Sequence, residues 1–260
     1  MKICVLGSLS HNNWFAQRLL ERGFAIDARA SSAARLHALG HISAGLLVDN
    51  ILVDTDTVGL KARHELARCC AHQGLGYSEW AGHWLIPGVE QGFQLFTGSD
   101  VRQRDLLLPV LDALAPVPGA WLYCGPAGAG YYAAKVFDAL TMAYTEAIKA
   151  VLPDLQQGVL QAPDWQHFFR QQQQLAQKIL QFSELYLSLN PQEITLDPWQ
   201  QLQAFALPPR LQGHFSANLA HLMVLALGRH SAVQEIFEHL LPMEPGLASA
   251  LGAADLTRPC

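Results

Sequence analysis

Three side chains of this sequence have the types and spacing to move protons. Lys135 and Asp138 stand three residues apart in a stretch with helical periodicity, so both side chains lie on one face of the predicted helix. A lysine whose pKa is lowered by burial acts as a general acid or base, and the aspartate can orient that lysine or a substrate. His83 is the third candidate, because an unperturbed imidazole titrates near neutrality. We predict these three residues as catalytic.

Each of the three also has a structural interpretation. Lys135 and Asp138 can form an ordinary ion pair on a helix surface. His83 can be a packed side chain among its apolar neighbours. Both interpretations stay open at the level of the sequence.

No metal site is predicted. His37 and His41 have the i,i+4 spacing of a zinc pair, but Gly40 lies between them, and an adjacent glutamate and a third ligand are missing. The five cysteines form no C-x-x-C pair and are odd in number, which is typical of free thiols in a reducing compartment. The start, MKICVLGSL, is typical of a strand and a turn rather than of a signal peptide, and we expect a cytoplasmic protein.

The composition excludes two classes of partner. The formal net charge is −5, the sequence pI is about 6.1, and no run of Lys or Arg offers a basic surface. Neither nucleic acid nor an anionic membrane is therefore an expected partner. With 50% hydrophobic and 15% charged residues, the chain has little charge for a soluble protein of its size, which favours an oligomer. We expect a homodimer.

The elements that must position the candidate residues follow from hydrophobic periodicity. Strands are predicted at Lys2–Leu6 and Ala25–Ala28 with a helix between them, which is the opening of a βαβ unit. A further strand, Ile51–Asp54, is followed by a helix, and the last predicted strand is Ala120–Tyr123. From Gly130 onward only helical patterns occur. The sequence thus predicts an α/β domain followed by an all-α domain.

A glycine turn before the long helix identifies a family resemblance. Gly125, Gly128, Ala129 and Gly130 match G-x-x-G-[AS]-G, the turn that precedes the interdomain helix in the 6-phosphogluconate dehydrogenase and β-hydroxyacid dehydrogenase superfamily. The segments ILVDTDTV and GVEQGFQLFTGSD also resemble that superfamily, and the similarity extends over residues 1–150. The resemblance implies a Rossmann-like domain with a shortened sheet at residues 1–125 and an all-α, dimerising domain at 126–260.

The catalytic pair of the family is incomplete in this chain. The family places a lysine on the helix after the glycine turn and an asparagine four residues later. Aligned without a gap, these positions hold Ala134 and Asp138; shifted by one residue, they hold Lys135 and Ala139. One partner is missing in either register, and the sequence leaves the choice of register open.

The resemblance implies a dinucleotide site that is also incomplete. Val5, Gly7 and Ser10 occupy the three positions of G-x-G-x-x-G, so only the middle glycine remains. The residues expected to contact NADP are Gly7, Ser8, Leu9 and Ser10, and Arg29, which can hold a 2′-phosphate or be an exposed strand-end arginine. The stretch between Asp27 and Ile51 leaves room for one short helix and a turn. Binding of NADP is expected to be weak or absent.

The substrate loop of the family is replaced by larger side chains. Where the family has a serine and two glycines that hold a carboxylate, this chain has His83, Trp84 and Leu85. The predicted substrate contacts are Thr57, Trp84, Gly128 and Tyr131. We expect a small, aromatic cavity walled by His83, Trp84, Tyr131, Lys135 and Asp138, suited to a small, partly apolar ligand.

Three functional hypotheses follow. The first is a divergent superfamily member that has lost ordinary NAD(P)-dependent dehydrogenase activity and binds a small molecule in a regulatory or accessory role. The second is an NADP-dependent oxidoreductase with a rebuilt active site. The third is a structural dimer without a ligand. Cofactor binding separates the second from the others, and a ligand-dependent melting temperature separates the first from the third.

Overall fold

The computed structural model describes residues 1–7, 9–27, 45–151, 165–191 and 214–228. Ser8, Arg29, the pair His37 and His41, and the helices expected after residue 191 and after residue 228 lie outside these ranges. The described strands are β1 (Ile3–Leu6), β2 (Gly45–Val48), β3 (Ile51–Asp54), β4 (Gly76–Ala81), β5 (Phe96–Ser99) and β6 (Leu122–Gly125). The described helices are α1 (Ser10–Glu21), α2 (Leu60–His72), α3 (Gly88–Gln91), α4 (Val101–Leu114), α5 (Ala129–Val151), α6 (Trp165–Leu189) and α7 (Phe215–Gly228).

The strands form one mixed sheet in the spatial order β1-β2-β3-β4-β5-β6. The pairs β3/β4 and β5/β6 are parallel, and the other three pairs are antiparallel. It follows that β1, β3 and β4 run in the same direction and end at the same side of the sheet. In open α/β sheets, ligands bind beside the carboxyl ends of such strands.

The segment between Asp27 and Ile51 contains a strand that the sequence did not predict. β2 inserts between β1 and β3 and pairs with both in antiparallel fashion. It is joined to β3 by the two-residue turn Asp49–Asn50, in which Asp49 adopts a φ of 52°. Aspartate tolerates this left-handed conformation better than most residues. Of the strand predicted at Ala25–Ala28, the described residues, which end at Asp27, form a single parallel bridge between Ile26 and Ile3.

Apolar side chains cover both faces of the sheet. One cluster includes Phe15, Trp80, Phe93 and Trp121, and packs α1 and α4 against the strands. The other includes Leu52, Leu66, Cys70 and Tyr77, and packs α2 against the opposite face. The strands are therefore buried on both sides, as expected for a sheet between two helical layers.

A buried arginine fastens α1 to the rest of this fold. Arg18 is 2% exposed and donates from Nε to the carbonyl oxygen of Ala113 at 2.9 Å. Its Nη1 donates to the carbonyl oxygens of Val89 and Glu90, and its Nη2 to that of Ala115, each at 2.8 Å. These four bonds satisfy carbonyl groups at the ends of α3 and α4, which have no partner within their helices.

The glycine turn brings α5 close to the sheet. A Cβ on Gly130 would lie 2.6 Å from the carbonyl oxygen of Phe96, so a larger residue would push the helix away from β5. Gly125 and Gly128 have φ values of 134° and 89°, which L-residues rarely adopt. The turn therefore serves close backbone packing at the start of α5.

After β6 the described part of the chain contains helices only, namely α5, α6 and α7. The prediction of a Rossmann-like α/β region followed by an all-α region is therefore confirmed. Two compact units are present: Met1–Asp138 with Phe182–Leu222, and Ala139–Gln181 with Met223–Cys260. The predicted domain boundary at residue 125 stays a prediction.

Candidate functional site

A buried charged cluster lies where β3 and β4 approach their carboxyl ends. Asp54 ends β3, Glu79 lies on β4, and both are 0% exposed. Arg63 reaches them from α2, with Nη1 3.4 Å from Asp54 Oδ2 and 3.4 Å from Glu79 Oε2. The hydroxyl of Tyr77 donates to Asp54 Oδ2 at 2.8 Å. Burial lowers the pKa of the Arg63 guanidinium, but Glu79 and Asp54 more than offset this and the pKa is raised.

Glu79 also fixes the start of α5. Its Oε1 accepts a hydrogen bond from the backbone N–H of Tyr131 at 3.1 Å, and thereby satisfies one of the first N–H groups of the helix. Burial raises the pKa of Glu79, and Arg63 and the Tyr131 N–H oppose this increase only in part. The cluster thus connects the sheet, α2 and the helix on which Lys135 and Asp138 lie.

A cavity of about 260 Å³ opens beside this cluster. It lies at the carboxyl ends of the co-directional strands and receives side chains from α1, from the loops after β3 and β4, from β5 and from α5. Its lining residues are His11, Thr55, Asp56, Thr57, Val58, Arg63, Ala81, Gly82, His83, Trp84, Phe96, Tyr131, Ala134, Lys135 and Asp138. Polar and apolar surfaces therefore face one another across a small space.

The three residues predicted as catalytic meet at the mouth of this cavity. His83 Nε2 lies 2.9 Å from Asp138 Oδ1, and Lys135 Nζ lies 3.4 Å from Asp138 Oδ2. All three side chains keep contact with solvent, with 64%, 35% and 51% exposed for His83, Asp138 and Lys135. Lys135 also lies 5.8 Å from the centre of the Tyr131 ring. The arrangement places an imidazole, a carboxylate and an ammonium group within reach of one bound molecule.

Trp84 lines the cavity without filling it. Its ring packs edge-to-face on Phe15, with 4.9 Å between centroids, and also contacts Phe93 at 6.2 Å. These contacts hold the indole in the core cluster. Trp84, in the loop after β4, thus gives the cavity an aromatic wall.

His11 is a second imidazole of the cavity that the sequence did not reveal. It belongs to the first turn of α1, and its Nε2 lies 3.0 Å from Thr55 Oγ1. The ring stacks on Trp84 with 5.9 Å between centroids and 26° between planes. Burial lowers the pKa of His11, an effect that the charge of Asp56 opposes.

Most predicted substrate contacts are brought together here, and one is not. Thr57, Trp84 and Tyr131 line the cavity. Gly128 does not line the cavity. A Cβ at this position would lie 2.9 Å from His64 Nε2, so close packing is the reason for a glycine here. Thr57 donates its backbone N–H to Asp54 Oδ1 at 3.0 Å, so it helps to order the loop after β3.

Of the two registers proposed for the family's catalytic pair, one has both positions, Ala134 and Asp138, in the cavity lining, and the other has Lys135 but not Ala139. Ala134, Lys135 and Asp138 all line the cavity, because α5 turns the same face toward it from Tyr131 to Asp138. Arg63 also lines it, although sequence periodicity alone identified it only as a residue of a predicted helix. Its role depends on the neighbours Asp54 and Glu79, which the sheet brings together.

The residues present fit a dinucleotide only in part. Gly7 has a left-handed φ of 75°, and the N-cap Leu9 has no side-chain cap bond. The cavity of about 260 Å³ is smaller than the roughly 300–1,000 Å³ typical of sites for drug-sized ligands. Val5 and Ser10 stand where the outer glycines would be. Ser8 and Arg29, two of the five residues expected to contact NADP, lie outside the described ranges, so weak or absent binding of NADP stays a prediction.

Comparison with known proteins gives a likeness of fold. A 3-hydroxyisobutyrate dehydrogenase of Mycobacterium tuberculosis, solved with L-serine, shares 16% identity over 90% of this chain and 89% of its own, with a TM-score of 0.41. An oxidoreductase of Mycobacterium avium shares 15% identity over 85% of this chain and 96% of its own, with a TM-score of 0.38. No protein-family model and no curated protein matches the chain.

Within the described ranges, no group of three or more His, Cys, Asp or Glu side chains is placed to hold a metal ion. Among the helices that the structure describes, none combines the length and apolar character needed to cross a bilayer.

Proposed function

We propose that the protein binds a small, partly apolar molecule in the cavity beside β3, β4 and α5, and that it is not a standard NAD(P)-dependent dehydrogenase. The observation that supports this most is the convergence of His83, Lys135 and Asp138 on a space that Trp84 leaves open. A protein that used this region only as a core would gain by filling it. The regulatory or accessory role is part of the same proposal.

The mixed character of the lining indicates the kind of ligand. Phe96, Trp84 and Val58 offer apolar surface. Polar side chains line the rest of the cavity, at His11, on the loop after β3, on α2, at His83 and on α5. Sites for small metabolites commonly combine an apolar wall with a few polar groups that fix orientation. A small ligand that combines apolar surface with polar groups fits this lining.

The test is a thermal-shift screen of small metabolites, followed by calorimetry of each compound that raises the melting temperature. Lys135→Met should weaken binding of such a compound about tenfold, since it removes a charged group at the cavity mouth. Lys61→Met, on the exposed face of α2, is the matched control and should leave binding unchanged. If no compound is found, or if both variants bind equally well, the proposal is wrong.

A second candidate is an NADP-dependent oxidoreductase with a rebuilt site. The pair His83 and Asp138 favours it, because a histidine oriented by a carboxylate can give or take a proton when a substrate is reduced or oxidised. Calorimetric titration with NADPH and NADH separates the candidates. We expect dissociation constants weaker than about 100 μM for both, which is less than about 5.5 kcal/mol of binding free energy. Micromolar affinity for NADPH would support the second candidate.

A further inference from the structure

A chain of buried hydrogen bonds behind the cavity sets the proton position on His11. Asn12 is 0% exposed, and its Nδ2 donates to the carbonyl oxygen of Leu6 at 2.9 Å. A carbonyl oxygen only accepts, so this bond fixes the orientation of the Asn12 amide and leaves Oδ1 as an acceptor. The hydroxyl of Thr55, 5% exposed, donates its single proton to that Oδ1 at 3.2 Å.

The next step of the chain is His11 itself. Thr55 Oγ1 has already given its proton to Asn12, so toward His11 Nε2, 3.0 Å away, it can only accept. Nε2 of His11 therefore bears a hydrogen. In the neutral imidazole, Nδ1 then has the free lone pair, and no residue in the described ranges donates a hydrogen bond to it. Burial lowers the pKa of His11, which favours this neutral form near pH 7.

The tautomer of His83 is also set by a side chain of the protein. Its Nε2 lies 2.9 Å from the carboxylate oxygen Oδ1 of Asp138, and a carboxylate accepts, so Nε2 donates. When this imidazole is neutral, its Nδ1 is also an acceptor. The cavity thus has two histidine rings whose tautomers are set by hydrogen bonds to Thr55 and Asp138 rather than by the ligand.

The positive side chains of the cavity are already engaged. Arg63 shares its charge between Asp54 and Glu79, and Lys135 is 3.4 Å from Asp138. Among the described lining residues, these two are the lysines and arginines. An anionic ligand would have to compete with carboxylates of the protein for each of them.

We propose that His11 is a hydrogen-bond-accepting binding residue and that the cavity selects ligands that donate hydrogen bonds, alcohols or amines, over carboxylates. The ligand class rests on the proposed function, because it requires that the cavity bind a small molecule. The tautomer of His11 does not rest on it. The two parts are therefore tested by separate measurements.

The first measurement is the tautomer of His11 in the whole protein near pH 7.5, by long-range proton–nitrogen correlation NMR. We expect a protonated Nε2 and an unprotonated Nδ1. Thr55→Val, which removes the acceptor, should give a mixture of tautomers, and Thr55→Ser, which keeps the hydroxyl, should restore the native spectrum. A proton on Nδ1 in the native protein, alone or together with one on Nε2, overturns the assignment.

The second measurement compares three probes with one four-carbon skeleton: 1,3-butanediol, 4-amino-2-butanol and 3-hydroxybutyrate. Each is titrated while the ring resonances of His11 and His83 are followed. We expect the diol and the amine to bind more tightly than the carboxylate, and His11→Phe, which keeps the ring packing on Trp84, to weaken both about two- to tenfold.

The outcomes separate the two proposals. If 3-hydroxybutyrate binds at least as tightly as the other probes, the ligand class is wrong while the proposed function stands. If His11→Phe leaves the binding of all probes unchanged, His11 is not a binding residue. If none of the probes moves a resonance of the cavity while the thermal-shift screen still finds a ligand, the ligand class is wrong and the proposed function stands; if the screen finds no ligand either, both are wrong.

Discussion

Glu79 combines complete burial with a negative charge, and this makes the stability of the protein depend on pH. Its pKa is raised by burial above the ordinary value of about 4.3, so the folded state binds a proton that the unfolded state has already released. Stability therefore falls as pH rises from the unfolded pKa through the raised folded pKa. We expect Glu79→Gln to remove this part of the decline, as measured by urea unfolding over a series of pH values.

Glu90→Gln is the matched control, because Glu90 is exposed on α3. Its pH profile should run parallel to that of the native protein. Glu79→Gln also changes a hydrogen bond to Tyr131 and a contact with Arg63, and so lowers stability at every pH. The quantity to compare is therefore the slope of the free energy of unfolding against pH. An unchanged slope in Glu79→Gln would show that Glu79 is not the group that titrates.

Gly98 on β5 is required by its neighbours. A Cβ there would lie 2.6 Å from Glu79 Oε1 and 2.7 Å from the carbonyl oxygen of Pro126. We expect Gly98→Ala to destabilise the fold by about 1–3 kcal/mol, the usual cost of overpacking. Gly76→Ala on β4 is the control, because its Cβ would meet the side chains of Gln103 and Ile51 at 3.0–3.1 Å, which can move. Equal losses in chemical denaturation would contradict the explanation.

The residues of the site differ in how far the sequence could predict them. Lys135 and Asp138 share a helix face by spacing alone, and the segment around His83 could be aligned to a known substrate loop. His11 and Arg63 gave no such signal. They reach the cavity because β1, β3 and β4 end at one side of the sheet, and this depends on pairings between strands that are distant in sequence.

At the scale of elements, Arg18 is the side chain on which the position of α1 depends. We expect Arg18→Met to destabilise the protein by about 3–5 kcal/mol, since four carbonyl groups lose a charged donor while the apolar stem is kept. Arg22→Met, on the exposed side at the end of the same helix, should change stability by less than about 0.5 kcal/mol. Comparable unfolding midpoints for the two variants would refute this role.

The helices were predicted more accurately than the sheet. The start of α4 illustrates a local signal, because the side chain of the N-cap Asp100 accepts from the N–H of Arg102 at 2.8 Å. β2 was missed, although GLLV and ILVD on either side of Asp49–Asn50 are typical of a two-residue hairpin. Helix signals are local, whereas an inserted antiparallel strand is stable only through its partners β1 and β3.

At the scale of the whole molecule, we propose a homodimer formed through the helical part of the chain. Met142 and Tyr144 on α5 are 62% and 69% exposed, and Leu225 on α7 is 41% exposed, and a partner subunit would bury this apolar surface. Light scattering at micromolar concentration should give twice the mass of the chain. Met142→Glu with Tyr144→Glu should shift the protein to monomer, while Lys61→Glu on α2 should not. A monomeric native protein would disprove the proposal.

The cavity draws its walls from separated stretches of chain: near His11, after β3, on α2, after β4, on β5 and along α5. None of these stretches can form a wall until the sheet that aligns them is complete. A ligand bound in the cavity therefore stabilises the protein against global unfolding rather than against the motion of one loop. A bound ligand should slow amide hydrogen exchange in β1, β3 and β4 together, by a common factor, in regions that it never touches.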